Sequence, residues 1–360
     1  MARKSSPIRI LLDPKRILLV IALGLGAASW MLYSSWDGEQ LSKMTWTGEV
    51  ALWLGLALVM MAIRDLAYMF RIRVLTGGEL TWRKAFDVIF LWEFASAITP
   101  SVVGGTPIAV FLVNKEGYSI GKASTLVMVT ALLDEVFFVT MVPLVYFLIG
   151  ESNLFVTSPE GFSMFGLDAA IGVVFWVSYS IILFYSIFLS YGLFFNPNGI
   201  KSILVGIFRL PFLRRWKSGA QRVGEEIIGA STELKTKPKS YWFKALGATY
   251  FSWTARYLVV NFLILAVAAG ALDHFLIYGR QLIMWVIMLI SPTPGGSGLA
   301  ELAFSRYLNE FILPGFDGVL ALVWRLISYF PYIFIGVIIL PRWIQRVYLK
   351  RKLIRFKTPK

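Results

Sequence analysis

The residues of this chain best placed to do chemistry are charged side chains set within long apolar runs. Arg64, Asp65, Asp134, Glu135, Arg256 and Arg325 lie inside such runs, and Glu93, Arg280 and Glu301 lie in or beside two shorter ones. An ionised group at membrane depth is costly, so it must face protein, a partner charge or a water-filled cavity. Two readings follow. These groups either pair into buried salt bridges that lock a helix bundle, or line a cavity where arginines grip an anion and carboxylates balance charge or carry a proton. Arg64, Asp65 and Arg280 fit the first reading better, and Asp134 and Glu301 the second. Glu135 lies about 100° round the helix from Asp134, so the two need not share one cavity.

Two breaks carry a second signal. The run 85–98 ends at Thr99-Pro100-Ser101-Val102-Val103-Gly104-Gly105-Thr106-Pro107, and the run 275–290 ends at Ser291-Pro292-Thr293-Pro294-Gly295-Gly296-Ser297-Gly298. Prolines remove backbone donors and glycines admit positive φ, so neither stretch can remain α-helical. A short helix is expected after each, over 108–116 and 299–309. Broken backbone at membrane depth needs protein or water to satisfy it, which predicts two re-entrant hairpins. Thr106 before Pro107 reads as an N-cap, with Ser297 in the same role at the second break. Helix starts of this kind attract anions, a lipid phosphate above all. The plainer alternative is that the glycines let helices pack closely.

The elements that position these groups are transmembrane helices. Of 360 residues 57% are hydrophobic and 16% charged, and mean hydropathy is +0.69. Apolar segments fall near 17–35, 48–70, 85–98, 121–148, 168–194, 243–271, 275–290 and 318–340, most of them near the ~20 residues that cross a bilayer core. A secretory signal peptide is a poorer reading of the first than an uncleaved helix, because so many spans follow. The expectation is an all-α polytopic protein forming a single membrane domain, 1–360, with about six full spans and two re-entrant hairpins. The absence of cysteine excludes disulfides, and with His274 as the single histidine no metal site or other cofactor is expected.

The net charge of +14 points to a membrane rather than to nucleic acid. With non-crossing hairpins, the basic N-terminus, 71–84 with Arg71, 113–122, 193–244 and the basic C-terminus share one side. The opposite loops hold only Lys43. That asymmetry predicts both termini on the cytoplasmic face of a cell inner (cytoplasmic) membrane. The loop 193–244 places Val223, Ile227, Ala230 and Leu234 on one helical face. It reads as a helix on the anionic leaflet or a docking point for a partner, against a plain positive loop.

The halves look alike. Arg64-Asp65-Leu66 with Phe70 matches Arg256-Tyr257-Leu258 with Phe262, and Gly104-Gly105 matches Gly295-Gly296, at an offset near 192. Three crossings and one hairpin per half would make an inverted repeat of 1–150 and 165–345, with Arg325 in the place that Asp134 holds in the first half.

At these residues the chain resembles the lysylphosphatidylglycerol synthase transmembrane family of flippase-like domains. The segment Pro100 to Gly105, the turn Asn114-Lys115-Glu116-Gly117-Tyr118-Ser119, Asp134 and the run Pro294 to Glu301 carry the resemblance, which spans 15–345. It implies a membrane protein that moves lipids between leaflets. Fused members add an aminoacyltransferase domain, for which the chain shows no counterpart, so synthase activity is not implied. Family arginines expected after the first Gly-Gly and before Asp134 are replaced by Ile108-Ala109-Val110 and Ala131-Leu132-Leu133. A head group would then fall to Arg64, Arg256 or Arg325. The expected function is flippase-like transport of a phospholipid or polyprenyl-phosphate-type lipid, with membrane lipids, anionic ones foremost, as partners. No Gly-Lys-Ser/Thr phosphate loop occurs, so ATP coupling is not expected. An intramembrane head-group enzyme and a non-transporting assembly factor stand as alternatives, the former weakened by the lack of a nucleophile–base set.

Overall fold

The computed structural model describes residues 33, 47–99, 105–156, 162–164, 167–169, 171–267, 272–289, 296 and 298–349. The predicted first span at 17–35 apart from Tyr33, and Pro100, Gly104, Pro294, Gly295 and Ser297, lie outside these.

Helix α1, Gly48–Leu75, starts where Thr47 caps Val50. Helix α2, Trp82–Ile98, starts at a Thr81 cap, and α4, Ile120–Ile149, at a Ser119 cap. In each, a side-chain oxygen accepts a backbone N–H of the first turn that has no partner within the helix. Between α2 and α4 lies α3, Thr106–Lys115. After α4 comes a short antiparallel hairpin, β1 Phe162–Met164 and β2 Leu167–Ala169, in a chain whose architecture is otherwise helical as expected. Helix α5, Ile171–Ser190, runs through a wider turn, Tyr191–Phe195, into the amphipathic α6, Pro197–Ile207. Then come α7, Lys217–Lys235, α8, Lys239–Leu265, α9, His274–Met288, and α10, Leu299–Leu308. The last apolar run is two helices, α11 Asp317–Ser328 and α12 Phe330–Ile344, which meet at Tyr329 just before Pro331.

Among the described residues, four helical stretches are long and apolar enough to cross a membrane: Gly48–Leu75, Ile120–Ile149, Gly172–Phe195 and Asp317–Tyr348. Helix α8 has comparable length but carries Lys239, Lys244 and Arg256.

Helices α1 and α8 form the most extensive pair. Ser252 of α8 donates to the Arg64 carbonyl at 3.0 Å, so the two backbones meet closely. Helix α2 packs on α12, and α9 packs on α4 and α5. At the first of these contacts Gly336 lies so near Phe94 that a Cβ would come within 2.3 Å of the ring. An aromatic cluster joins α4, α8 and α9: Phe138 stacks on Trp285 at 3.9 Å, and Phe137 stacks on Trp253 at 5.9 Å.

The helix at 217–235 departs from the expected lipid-lying one. Its Ile227 and Leu234 are buried and its Val223 and Ala230 half-buried, because that face packs on α4 and α6. Glu226 accepts from the Gly121 N–H at 2.8 Å, and a Cβ on Gly121 would overlap the α7 backbone. Exposed apolar residues of this loop lie on either side of that helix: Phe195, Ile203, Ile207, Leu210 and Phe212 before it and Phe243 after it.

Candidate functional site

A cavity of about 330 Å³ opens between the helices, lined by residues of α1 to α5 and of α8 to α12. Of the sequence-predicted residues, Arg64, Thr106, Asp134, Glu135, Arg256, Gly296 and Arg325 line it. The remaining charges of the region divide into those spoken for by a partner and those that are not.

Arg64 is buried. It donates to Asp65 at 2.8 Å, to Glu93 at 2.5 Å and to the Tyr332 hydroxyl at 2.7 Å, while that hydroxyl donates to Asp65 at 2.7 Å. Asp134 does not meet Arg325. It takes both guanidinium nitrogens of Arg71, at 2.5 and 3.1 Å, together with the Trp253 indole N–H at 2.7 Å and the Tyr68 hydroxyl at 3.3 Å. Arg71 also donates to Thr249 at 3.1 Å. The Tyr68 ring has Arg64 and Arg71 each 4.3 Å from its centroid. That arrangement places two guanidiniums on one aromatic face system.

Arg71 corrects the sequence reading, which placed it in a cytoplasmic loop. It is a residue of α1, 1% exposed. Counting hydrophobicity ends the apolar run at Phe70. The signal was the helical spacing of Arg64, Tyr68 and Arg71, which lie four and three residues apart on one face. Trp253 and Tyr332 left no comparable local signal, since their partners are 119 and 267 residues away.

Arg325 pairs with Glu301, Nε to Oε1 at 2.7 Å, and Glu301 is 1% exposed. Its Oε2 accepts from the Gly298 backbone N–H at 2.7 Å. Gly298, at φ +88°, is therefore the N-cap of α10, in place of the expected Ser297. The protein's own carboxylate satisfies that helix start, where the sequence suggested an external anion. At α3 the N-cap is Gly105 rather than Thr106, so the cap residue offers no side-chain hydrogen bond to the helix start. Thr106 is already helical, so its hydroxyl cannot reach forward to cap. A Cβ on Gly105 would fall 2.1 Å from the Ser96 hydroxyl, so glycine here serves the close approach of break and α2.

Two cavity residues lack such clamps. Among the described residues, no carboxylate lies within ion-pair distance of Arg256, which sits over the Trp253 ring at 5.6 Å. Among those residues, no cation lies within that distance of Glu135 either, and its buried Oε2 has no hydrogen-bond partner. Arg280 belongs elsewhere: it donates to the Asn153 and Tyr307 carbonyls at 2.9 and 3.0 Å and pairs with Glu310 at 2.9 Å. Its role is structural.

A further cluster ties the segment after α3 to the last helix. Glu116, 2% exposed, accepts from Arg346 at 2.5 and 2.8 Å and from the Trp343 indole at 2.8 Å, and Arg346 also reaches Asp87 at 2.9 Å.

Long apolar helices enclosing a charged, aromatic-walled cavity define a multi-span helical membrane protein. The chain belongs to the family described as the lysylphosphatidylglycerol synthase TM region, whose model matches residues 17–336. It is also similar to a UPF0104 membrane protein of Archaeoglobus fulgidus, with 26% identity over 310 residues, 82% of this chain and 89% of the relative.

Proposed function

We propose that the protein is a flippase-like transporter that moves a phospholipid or a polyprenyl-phosphate-type lipid between leaflets, with the head group passing through the cavity. The observation that carries this is Arg256. It is an arginine inside the cavity that no described carboxylate neutralises, in a space large enough for a head group. A guanidinium there offers the bidentate contacts that a phosphate accepts. The walls around it are aromatic, from Trp253, Trp285 and Trp92, so acyl or prenyl chains have an apolar path beside the head group.

The topology that goes with this reading has six full spans, two re-entrant hairpins and both termini on the cytoplasmic face. Its support is a repeat in the helix boundaries. Gly48 and Lys239, Trp82 and His274, and Thr106 and Leu299 begin equivalent helices, each pair about 192 residues apart. The contacts cross over in the same way: α2 of the first half packs on α12 of the second, and α9 of the second packs on α4 of the first. Two inverted halves meeting about a central cavity allow each half to rock against the other.

The test is leaflet exchange of fluorescent phospholipids in proteoliposomes, comparing wild type with Arg256→Ala. Exchange by wild type and its loss in a variant of unchanged stability is the expected result. Turnover of a labelled lipid in detergent, where leaflets do not exist, would favour a head-group enzyme instead.

A further inference from the structure

Resting on the transport reading above, we infer that Glu135 is a proton-exchanging group of the cavity, so that one proton travels with each lipid anion in the same direction.

The argument starts from what each buried carboxylate of the region has for company. Asp65 and Glu93 share Arg64, Asp134 is held by Arg71, and Glu301 is held by Arg325. Each has a guanidinium within ion-pair distance in place of water it lost. Glu135 has neither. It lines the cavity, one of its oxygens is sealed from solvent, and that oxygen has no donor among the described residues. An ionised carboxylate in that position bears the full desolvation cost, and binding a proton removes it.

The groups around it do not supply an alternative. On its own helix Asp134 is committed to Arg71 and adds only like charge. Helix α5 contributes Tyr185, α8 contributes Arg256 and Tyr257, and α9 contributes the neutral Gln281. Helix α3 contributes the neutral Thr106, and α7 meets α4 far away, near Gly121 and Lys122. Arg256 shares the cavity but lies beyond ion-pair distance, so the two groups influence one another through the space a head group would fill.

That placement gives the coupling its sign. With Glu135 protonated, a phosphate entering beside Arg256 meets a guanidinium that no described carboxylate pairs with. When Glu135 loses its proton, the new carboxylate repels the phosphate and weakens its hold. Proton and lipid anion therefore bind together and leave together. The proton is taken from water on the side where the cavity is open and released to water on the other, so no further reactant is needed. One proton per lipid sets an upper limit of about tenfold in the leaflet ratio for each pH unit across the membrane.

The experiment uses the full chain in proteoliposomes with fluorescent phosphatidylglycerol as the probe. Exchange is measured first at equal pH, then the steady-state leaflet ratio is measured under a one-unit gradient. Wild type is expected to exchange at equal pH and to enrich the probe, by up to about tenfold, in the leaflet facing the alkaline side. Glu135→Gln is expected to give an even distribution under the gradient at whatever rate it exchanges, and enrichment equal to wild type's overturns the inference. Wild-type exchange with an even distribution under the gradient overturns the coupling and leaves transport standing. Absence of exchange at every pH overturns transport and the coupling with it. Should Glu135→Gln fail to fold, Glu135→Asp keeps the acid on a shorter arm and must shift the pH dependence of exchange; an unshifted profile overturns the inference.

Discussion

Asp134→Asn separates a structural clamp from a transport group. The substitution keeps the shape of the side chain and removes its charge. What it leaves behind is Arg71, 1% exposed, whose guanidinium keeps its bond to Thr249 and its place against Tyr68 but loses its counter-charge. Breaking a fully buried pair costs about 3–5 kcal/mol. Asp134 is itself 20% exposed toward the cavity, where water partly screens the pair, so the lower end, about 3 kcal/mol, applies. That corresponds to roughly a 150-fold shift in the unfolding equilibrium. The assay is reversible denaturation in mixed micelles followed by tryptophan fluorescence, for which Trp253 is well placed because its indole bonds to Asp134. The double variant Arg71→Gln with Asp134→Asn should recover at least about 1.5 kcal/mol of the summed single losses, since it leaves no unpaired charge. Single losses under about 1 kcal/mol that simply add in the double variant would refute the reasoning and return Asp134 to the candidate transport groups. Glu135→Gln provides the contrast: it removes no ion pair among the described residues, so stability should hold or rise slightly.

Three further outcomes follow from the geometry. Arg256→Ala should leave the denaturation midpoint within about 0.5 kcal/mol of wild type, as for a residue with no structural ion pair, while lipid exchange falls at least tenfold; a large stability loss would show a partner outside the described residues. Gly336→Ala should cost about 1–3 kcal/mol because its methyl must displace the buried Phe94 ring, whereas Gly55→Ala, with open space around it, should be neutral or mildly stabilising. Lys237, and Lys122 after it, hold the Glu233 carboxyl below its ordinary range. A depressed carboxyl stabilises above its unfolded pKa and loses that contribution as pH falls through the depressed value. Acidification from neutral should thus loosen the end of α7. The effect is small, because the pair is exposed, and hydrogen exchange over 217–235 would detect it.

Much of the fold was legible because membrane helices announce themselves by apolar length. The boundaries of α2 and α9, the short helices after both breaks and the 192-residue offset all follow from where prolines, glycines and runs fall. Less legible was which charge meets which. Asp134 was visible as a costly group, but its partner Arg71 lay one residue past the apolar run. Arg325 was matched to Asp134 by position in the repeat, yet Glu301 holds it from one helix earlier. The cap at the second break was misread for a related reason: Ser297 has the cap chemistry, but Gly298 has the positive φ that turns the chain into α10, and Glu301 then bonds back to it. Composition identifies groups that need partners. Only packing between helices distant in sequence assigns them.

The arrangement around Arg64 also bears on how the chain is made. Its tyrosine partner, Tyr332, lies 268 residues downstream, so at a synthesis rate of about 5–20 residues per second α1 sits in the bilayer for tens of seconds before that contact exists. In the interval the guanidinium is not bare. Asp65 is the next residue and Glu93 follows 29 residues later, so the charge is neutralised by neighbours inserted at almost the same time. The late tyrosine adds order to a pair that already exists. The sequence distance of each partner thus sets a schedule for insertion, in which charge is cancelled early and geometry is fixed last.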